Sequence, residues 1–297
     1  MITQSKLATL QVPGTPLACP VCDGAICWGS PCGSCFAPAE VIESILVRDR
    51  PPRFVGIVGP SGVGKTVYLG MLLDLLSRGA GGLHGLARGP FSLALHRNVM
   101  LSLERQRFPD KTPSEPDRWQ WVSCEVSGEK KERGFDIVAP DLAGEAIMAE
   151  LERPRSNPTV RALIGKCSGL VVLVDILQVI ADGQAQELFA MQLVSYLASL
   201  RPAKRRGKID VPVAVVFTKA DLCDEAVGDP EELARANAPG LWRLCEARLQ
   251  HCRFFSSGVA GSTARLVDAD GQESLVPLRV EPRGIIEPFS WLMTRIR

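Results

Sequence analysis

With 297 residues, the chain has room for one large α/β domain plus a small appendage, or for two modest domains. A hydrophobic share of 46%, a charged share of 23% and a formal net charge of +1 fit a soluble globular protein and exclude a global attraction to nucleic acid or anionic lipid. Apolar stretches such as Leu170 to Val174 are strand-sized, and no basic segment followed by an apolar one opens the chain. The sequence therefore predicts a cytoplasmic protein without a membrane segment.

Residues 1 to about 50 are rich in Pro, Gly and Cys and poor in helical or strand periodicity. That predicts a small module held by something other than a hydrophobic core, with the main domain over 51–297. Within the module, Cys19-Pro20-Val21-Cys22 and Cys32-Gly33-Ser34-Cys35 are two C-x-x-C knuckles separated by nine residues. Each tight turn can aim two thiolates at one tetrahedral centre, and zinc is the natural occupant. A redox pair would want its motif at a helix start in a βαβ setting, which is absent here. Ten cysteines in a chain of this length, only four of them at ligand spacing, read as reduced thiols. Cys27 is a spare thiol, and Cys124, Cys167, Cys223, Cys245 and Cys252 read as packing residues. The stretch from Met1 to Glu40 holds one lysine, Lys6, and no arginine, so the module has no clear nucleic-acid patch and suits protein contact or capping.

From Arg53 the character changes. The apolar run Phe54–Val58 predicts a strand, Gly59-Pro60-Ser61-Gly62-Val63-Gly64-Lys65-Thr66 fits G-x-x-x-x-G-K-[ST], and a helical face of Val67, Leu69, Met71, Leu72, Leu75 and Leu76 follows, ending at Gly79. The glycines let successive amides turn toward phosphate oxygens, and the helix N-terminus adds roughly half a positive charge. Candidate nucleotide contacts are Gly59, Ser61, Gly62, Val63, Gly64, Lys65, Thr66 and Val67. Lys65 would reach the β- and γ-phosphates and the Thr66 hydroxyl would ligate magnesium.

A helix is predicted over Leu93–Arg107, then a proline loop over 108–116, then a hairpin of Trp119–Val126 and Phe135–Ala139 around a polar turn. Beyond it, strands at Gly169–Asp175, Pro212–Phe217 and Cys252–Phe255 alternate with helices at Gln184–Leu200, Glu231–Gln250 (broken at Pro239-Gly240) and Ile286–Arg297. Gly169–Val174 and Val211–Phe217 are apolar throughout, as expected for a sheet buried on both faces. An extra hairpin is predicted over Ala264–Val280, around Asp268-Ala269-Asp270-Gly271. The basic run Arg201 to Lys208 reads as a solvated loop, and His84, His96 and His251 show no ligand spacing.

Two later motifs complete a nucleotide site. Asp141-Leu142-Ala143-Gly144 follows a strand: a carboxylate there can hold magnesium through water, and the glycine amide can report on a γ-phosphate. Val213–Phe217 leads into Thr218-Lys219-Ala220-Asp221, whose aspartate can accept from the ring N–H and the exocyclic amine of guanine; adenine presents a lone pair where guanine has the N–H. Lys219 would lay its stem across base and ribose. Ser256-Ser257, after the last buried strand, could offer backbone amides to the guanine carbonyl.

Together GPSGVGKT, DLAG, TKAD and the SS turn resemble TRAFAC-class GTPases over about Arg53 to Arg297. The cysteine-bearing N-terminus, DLAGE, TKAD and the closing IIEPFSWL segment are most similar to the bacterial double-GTPase proteins of predicted GTPase-centred conflict systems. The resemblance implies a Ras-like three-layer α/β sandwich carrying a small four-cysteine zinc knuckle module, magnesium-dependent binding of GTP and GDP, and a nucleotide-controlled conformation working beside a second GTPase. It assigns Lys65, Asp141, Gly144 and Glu145 to catalysis. Two departures stand out. Glu145 occupies the place where Ras-like members often carry a water-orienting glutamine, which implies slow intrinsic hydrolysis. The magnesium-binding threonine of the first switch should precede the hairpin, and Thr112 is the best candidate. The alternatives are a P-loop ATPase in which TKAD is coincidental, and a non-catalytic adaptor that holds nucleotide for stability and acts through its zinc module.

Overall fold

A computed structural model describes residues 16–48, 53–110, 121–128, 134–140, 144–182, 184–203, 207–223, 228–267 and 273–296. Asp141, Thr112, the basic residues 204–206 and the Asp268–Gly271 turn lie outside the described residues.

The centre is a seven-stranded sheet. Its strands are β3 (Phe54–Val58), β4 (Leu83–Arg88), β5 (Trp121–Gly128), β6 (Gly134–Pro140), β7 (Gly169–Asp175), β8 (Val213–Thr218) and β9 (Cys252–Ser256), in the order β4-β5-β6-β3-β7-β8-β9. Pairing is parallel from β6 through β9 and antiparallel for β4 with β5 and β5 with β6. Side chains alternate across a strand, so β7, apolar up to its closing Asp175, serves two cores at once. Val172 and Val174 join one core with α5 (Pro158–Lys166), α7 (Gln184–Leu200) and α9 (Pro239–Arg248). Val171 and Leu173 join the other with α2 (Lys65–Ser77), α3 (Gly89–Glu104) and α10 (Glu287–Arg295). The predicted three-layer α/β sandwich is therefore the observed one. No helix among the described residues is long and apolar enough to cross a membrane.

The predicted hairpin of β5 and β6 is present, and the long helix breaks at Pro239 into α8 (Pro230–Asn237) and α9. The helix predicted over Leu93–Arg107 begins earlier than its periodicity suggests, because Gly89-Pro90 starts α3 with proline in the first turn. Edge strand β4 was not foreseen; only Leu83 of its six residues is buried. Also unforeseen are α4 (Gly144–Glu152), α5 and α6 (Ile176–Asp182). The corner between α4 and α5 is built on a fully buried carboxylate: Glu150 accepts from the Arg155 and Asn157 amides at 2.8 and 2.6 Å, and from the Tyr196 hydroxyl. Burial acts to raise the Glu150 pKa, but these donors overcome it and hold it below the ordinary range.

The N-terminal segment departs from its sequence reading. Its β1 (Leu17–Ala18) and β2 (Ala25–Ile26) pair antiparallel, and α1 (Ala39–Leu46) follows with Val41, Ile42 and Ile45 buried. These side chains and the knuckle cysteines share one apolar cluster with Phe54, Trp121 and Val138 of the main sheet. The segment thus does have a hydrophobic core, borrowed in part from the sheet. Polar ties add to it: Thr159 Oγ1 donates to the Cys35 carbonyl at 3.2 Å, Lys166 meets Asp23 at 2.6 Å, and Arg48 pairs with Asp136.

Candidate functional site

The turn from β3 into α2 has the conformation its glycines predict, with Gly62 at φ +75° and Gly64 at φ +89°. Lys65 opens the helix and is 7% exposed. Beside it, the β8 end carries Thr218, whose Oγ1 lies 2.8 Å from the Val63 carbonyl and 3.2 Å from the Val174 carbonyl, so its single proton can serve either. The first of these contacts ties the phosphate loop directly to the TKAD segment.

Lys65 and Asp221 line one cleft of about 550 Å³, within the range of small-ligand sites. Ser61, Gly62, Val63, Gly64 and Val67 reach it from the loop and helix, and Gly144, Glu145, Thr218, Lys219 and Ser257 from the other segments. Gly59 and Thr66 do not line it; Gly59 packs against Val63 and Leu173 instead. Ser256 has its hydroxyl buried away from the cleft, and the Ser257 amide already donates to the Phe217 carbonyl at 2.7 Å, which takes that amide out of reach of a guanine carbonyl.

Gly144 presses onto the phosphate loop. A Cβ there would lie 2.0 Å from the Ser61 nitrogen and 2.5 Å from the Pro60 carbonyl carbon, and neither backbone atom can step aside cheaply. Gly144→Ala is therefore expected to push the start of α4 off the loop at a cost of about 1–3 kcal/mol, lowering the melting temperature by roughly 5 °C. A melt indistinguishable from wild type would refute the contact.

The structure adds residues that the motifs did not single out. Asp175, 1% exposed at the end of β7, pairs with Lys219 at 2.5 Å. Its one signal in the sequence is a carboxylate closing an otherwise apolar strand. Phe108, read as part of a proline loop, lines the cleft with Tyr68, whose hydroxyl donates to the Ile285 carbonyl at 3.2 Å. Asp221 itself is engaged: its Oδ2 accepts from the Val259 amide at 2.9 Å and the Ala260 amide at 2.5 Å. Backbone donors leave no trace in a residue pattern, so nothing in the sequence pointed to them.

At the other site, the four Sγ atoms of Cys19, Cys22, Cys32 and Cys35 all lie within 4.8 Å of one another, with Cys19–Cys35 at 3.7 Å and Cys22–Cys32 at 3.5 Å. Sulfurs held tetrahedrally about 2.3 Å from zinc lie about 3.8 Å apart, whereas a disulfide needs about 2.05 Å. The cluster could hold a zinc ion. The Cys19–Cys35 hydrogen bond pulls the Cys19 thiol down and pushes Cys35 up. The Gly24 amide reaches Cys22 Sγ at 3.4 Å, the kind of outer contact that orients a ligating thiolate.

The Double-GTPase 2 family matches residues 53–267. The chain belongs to that family. Membership makes this Double-GTPase 2 protein a P-loop GTPase, with guanine-nucleotide binding as its family property; the cysteine segment and the residues after 267 fall outside the matched span. Among solved structures, the chain is similar to the Arl6 BBS3 small GTPase of Trypanosoma brucei with bound GppNp. That likeness has a TM-score of 0.41 at 12% identity and covers 83% of this chain and 99% of that one. No curated protein matches the sequence.

Proposed function

We propose that this Double-GTPase 2 protein is a cytoplasmic, magnesium-dependent GTP-binding switch that hydrolyses GTP slowly on its own. The observation that carries the reading is the shared cleft, in which Lys65 and Asp221 come together on segments tied to each other by Thr218. The phosphate loop holds the tail, Lys65 neutralises β- and γ-phosphate charge, and Asp221 accepts from guanine. Thr66 and Asp141 are the residues that would hold magnesium, which supplies further neutralisation of the phosphates when bound, and Thr112 is the switch threonine. Gly144 offers its amide at the γ-phosphate end. Glu145, exposed at the cleft, brings a negative charge where a neutral water-orienting group would serve better, which supports slow turnover without a partner.

We divide the chain at about residue 50. Four thiolates in the first part hold zinc, and the module so formed meets a protein partner, a second GTPase in a bacterial conflict system being the reading that the family resemblance supports.

The test is base choice. Wild-type protein should bind GTP far more tightly than ATP in titration calorimetry; equal affinity would remove Asp221 as the reader. Asp221→Asn should lose roughly a hundredfold in guanine affinity, from two charge-assisted bonds, and gain affinity for xanthine nucleotides, whose 2-carbonyl accepts from the new amide.

A further inference from the structure

After β9 the chain does not run straight into its last helix. It first forms a separate two-stranded ribbon, β10 (Gly258–Val267) and β11 (Glu273–Arg283), joined to no other sheet among the described residues. The root of the ribbon is packed onto the TKAD turn: the Ala220 amide donates to the Ser257 carbonyl at 3.0 Å, and a side chain on Gly258 would sit 2.6 Å from Asp221 Cβ. Higher up, Val259, Ala260, Thr263 and Leu275 form one wall of the nucleotide cleft.

Consecutive amides of a regular strand point to opposite sides, so Val259 and Ala260 could not both donate to one acceptor from an unbroken ladder. The register of β10 against β11 slips between Gly258 and Ala260, again before Ser262 and again before Thr263. Such a bulge turns two successive amides the same way. Here they converge on a single carboxylate oxygen, Asp221 Oδ2. Guanine also brings two neighbouring donors and needs both oxygens of the same carboxylate. With both acceptor positions of Oδ2 filled by the ribbon, the base cannot make its second bond until one amide lets go.

We propose that the β10–β11 ribbon is an internal competitor for the base, its Val259 and Ala260 amides occupying the carboxylate that reads guanine, so that ribbon attachment sets the affinity and the loading of the nucleotide. This rests on the GTP-binding reading above. Because occupancy and attachment exclude each other in part, each must weaken the other by the same factor.

The deciding measurement is amide hydrogen exchange on the wild-type, full-length protein with and without saturating GDP. Phosphate-loop amides should slow, while the Val259 or the Ala260 amide should exchange at least about tenfold faster, the opposite of ordinary protection by a ligand. In parallel, Ala260→Pro removes one competing N–H and should tighten GDP binding about tenfold in calorimetry. Faster exchange at either amide supports the proposal even if the proline variant does not fold. Unchanged or increased protection of both amides under GDP overturns it while leaving GTP binding intact, and so does a folded Ala260→Pro protein with wild-type GDP affinity. Failure of the wild-type protein to bind guanine nucleotide at all would instead sink the switch reading, and this inference with it.

Discussion

Lys65→Ala protein is expected to bind GTP and GDP at least about a thousandfold more weakly than wild type, with its fold retained. The side chain is 7% exposed at the first position of α2, inside the cleft. In the proposed complex it makes two or more charge-assisted bonds to phosphate, each worth about 1.5–3 kcal/mol, and removing it leaves that negative charge facing only backbone amides and the helix end. The loss falls on the phosphate end, so guanine and adenine nucleotides should weaken alike, whereas Asp221→Asn discriminates between bases. Calorimetry with GDP and ADP on both variants separates the two ends of the site. Retained micromolar GDP binding by Lys65→Ala would contradict the placement of the phosphates.

The second large effect concerns the cysteine cluster. Stripping metal with a strong chelator is expected to lower the melting temperature by at least about 10 °C, equivalent to roughly 4 kcal/mol for a chain of this size. Loss of the metal–thiolate bonds that close the two knuckles onto one centre is one part of that cost. The other is the apolar cluster the cysteines share with the sheet, in which Trp121 is 2% exposed and Phe54 is 5% exposed. Loosening the knuckles should therefore wet Trp121, seen as a red shift of its emission that is absent from a Trp121→Phe control. Elemental analysis should find one zinc per chain, and Cys19→Ser should lower that content. A chelated protein with an unchanged melt and unchanged emission would mean that the packing of α1 and the Arg48–Asp136 pair suffice on their own.

Much of the cleft is legible in the sequence. The phosphate loop is a contiguous string whose backbone geometry follows from glycine placement, so Gly62 and Gly64 adopt the turn that their spacing predicts. Strand β7 and helix α7 have the same bounds as their patterns suggest, because a buried apolar run and a long helical face are strong local signals. Signals of other kinds failed. Edge strand β4 buries one residue, and α4 and α5 are short helices held by a buried glutamate, a residue type that usually reads as solvent-facing.

A four-thiol cluster and an α/β sandwich around a phosphate loop were determined by the sequence itself, since each depends on neighbours close along the chain. The tertiary structure alone decided that Gly144 lies on Ser61, that Trp121 closes the core of the cysteine segment, and that the Asp221 carboxylate is held by two amides 38 and 39 residues away. The physical reason is that these contacts are made by packing and by backbone groups common to every residue type, so they arise only once distant segments meet.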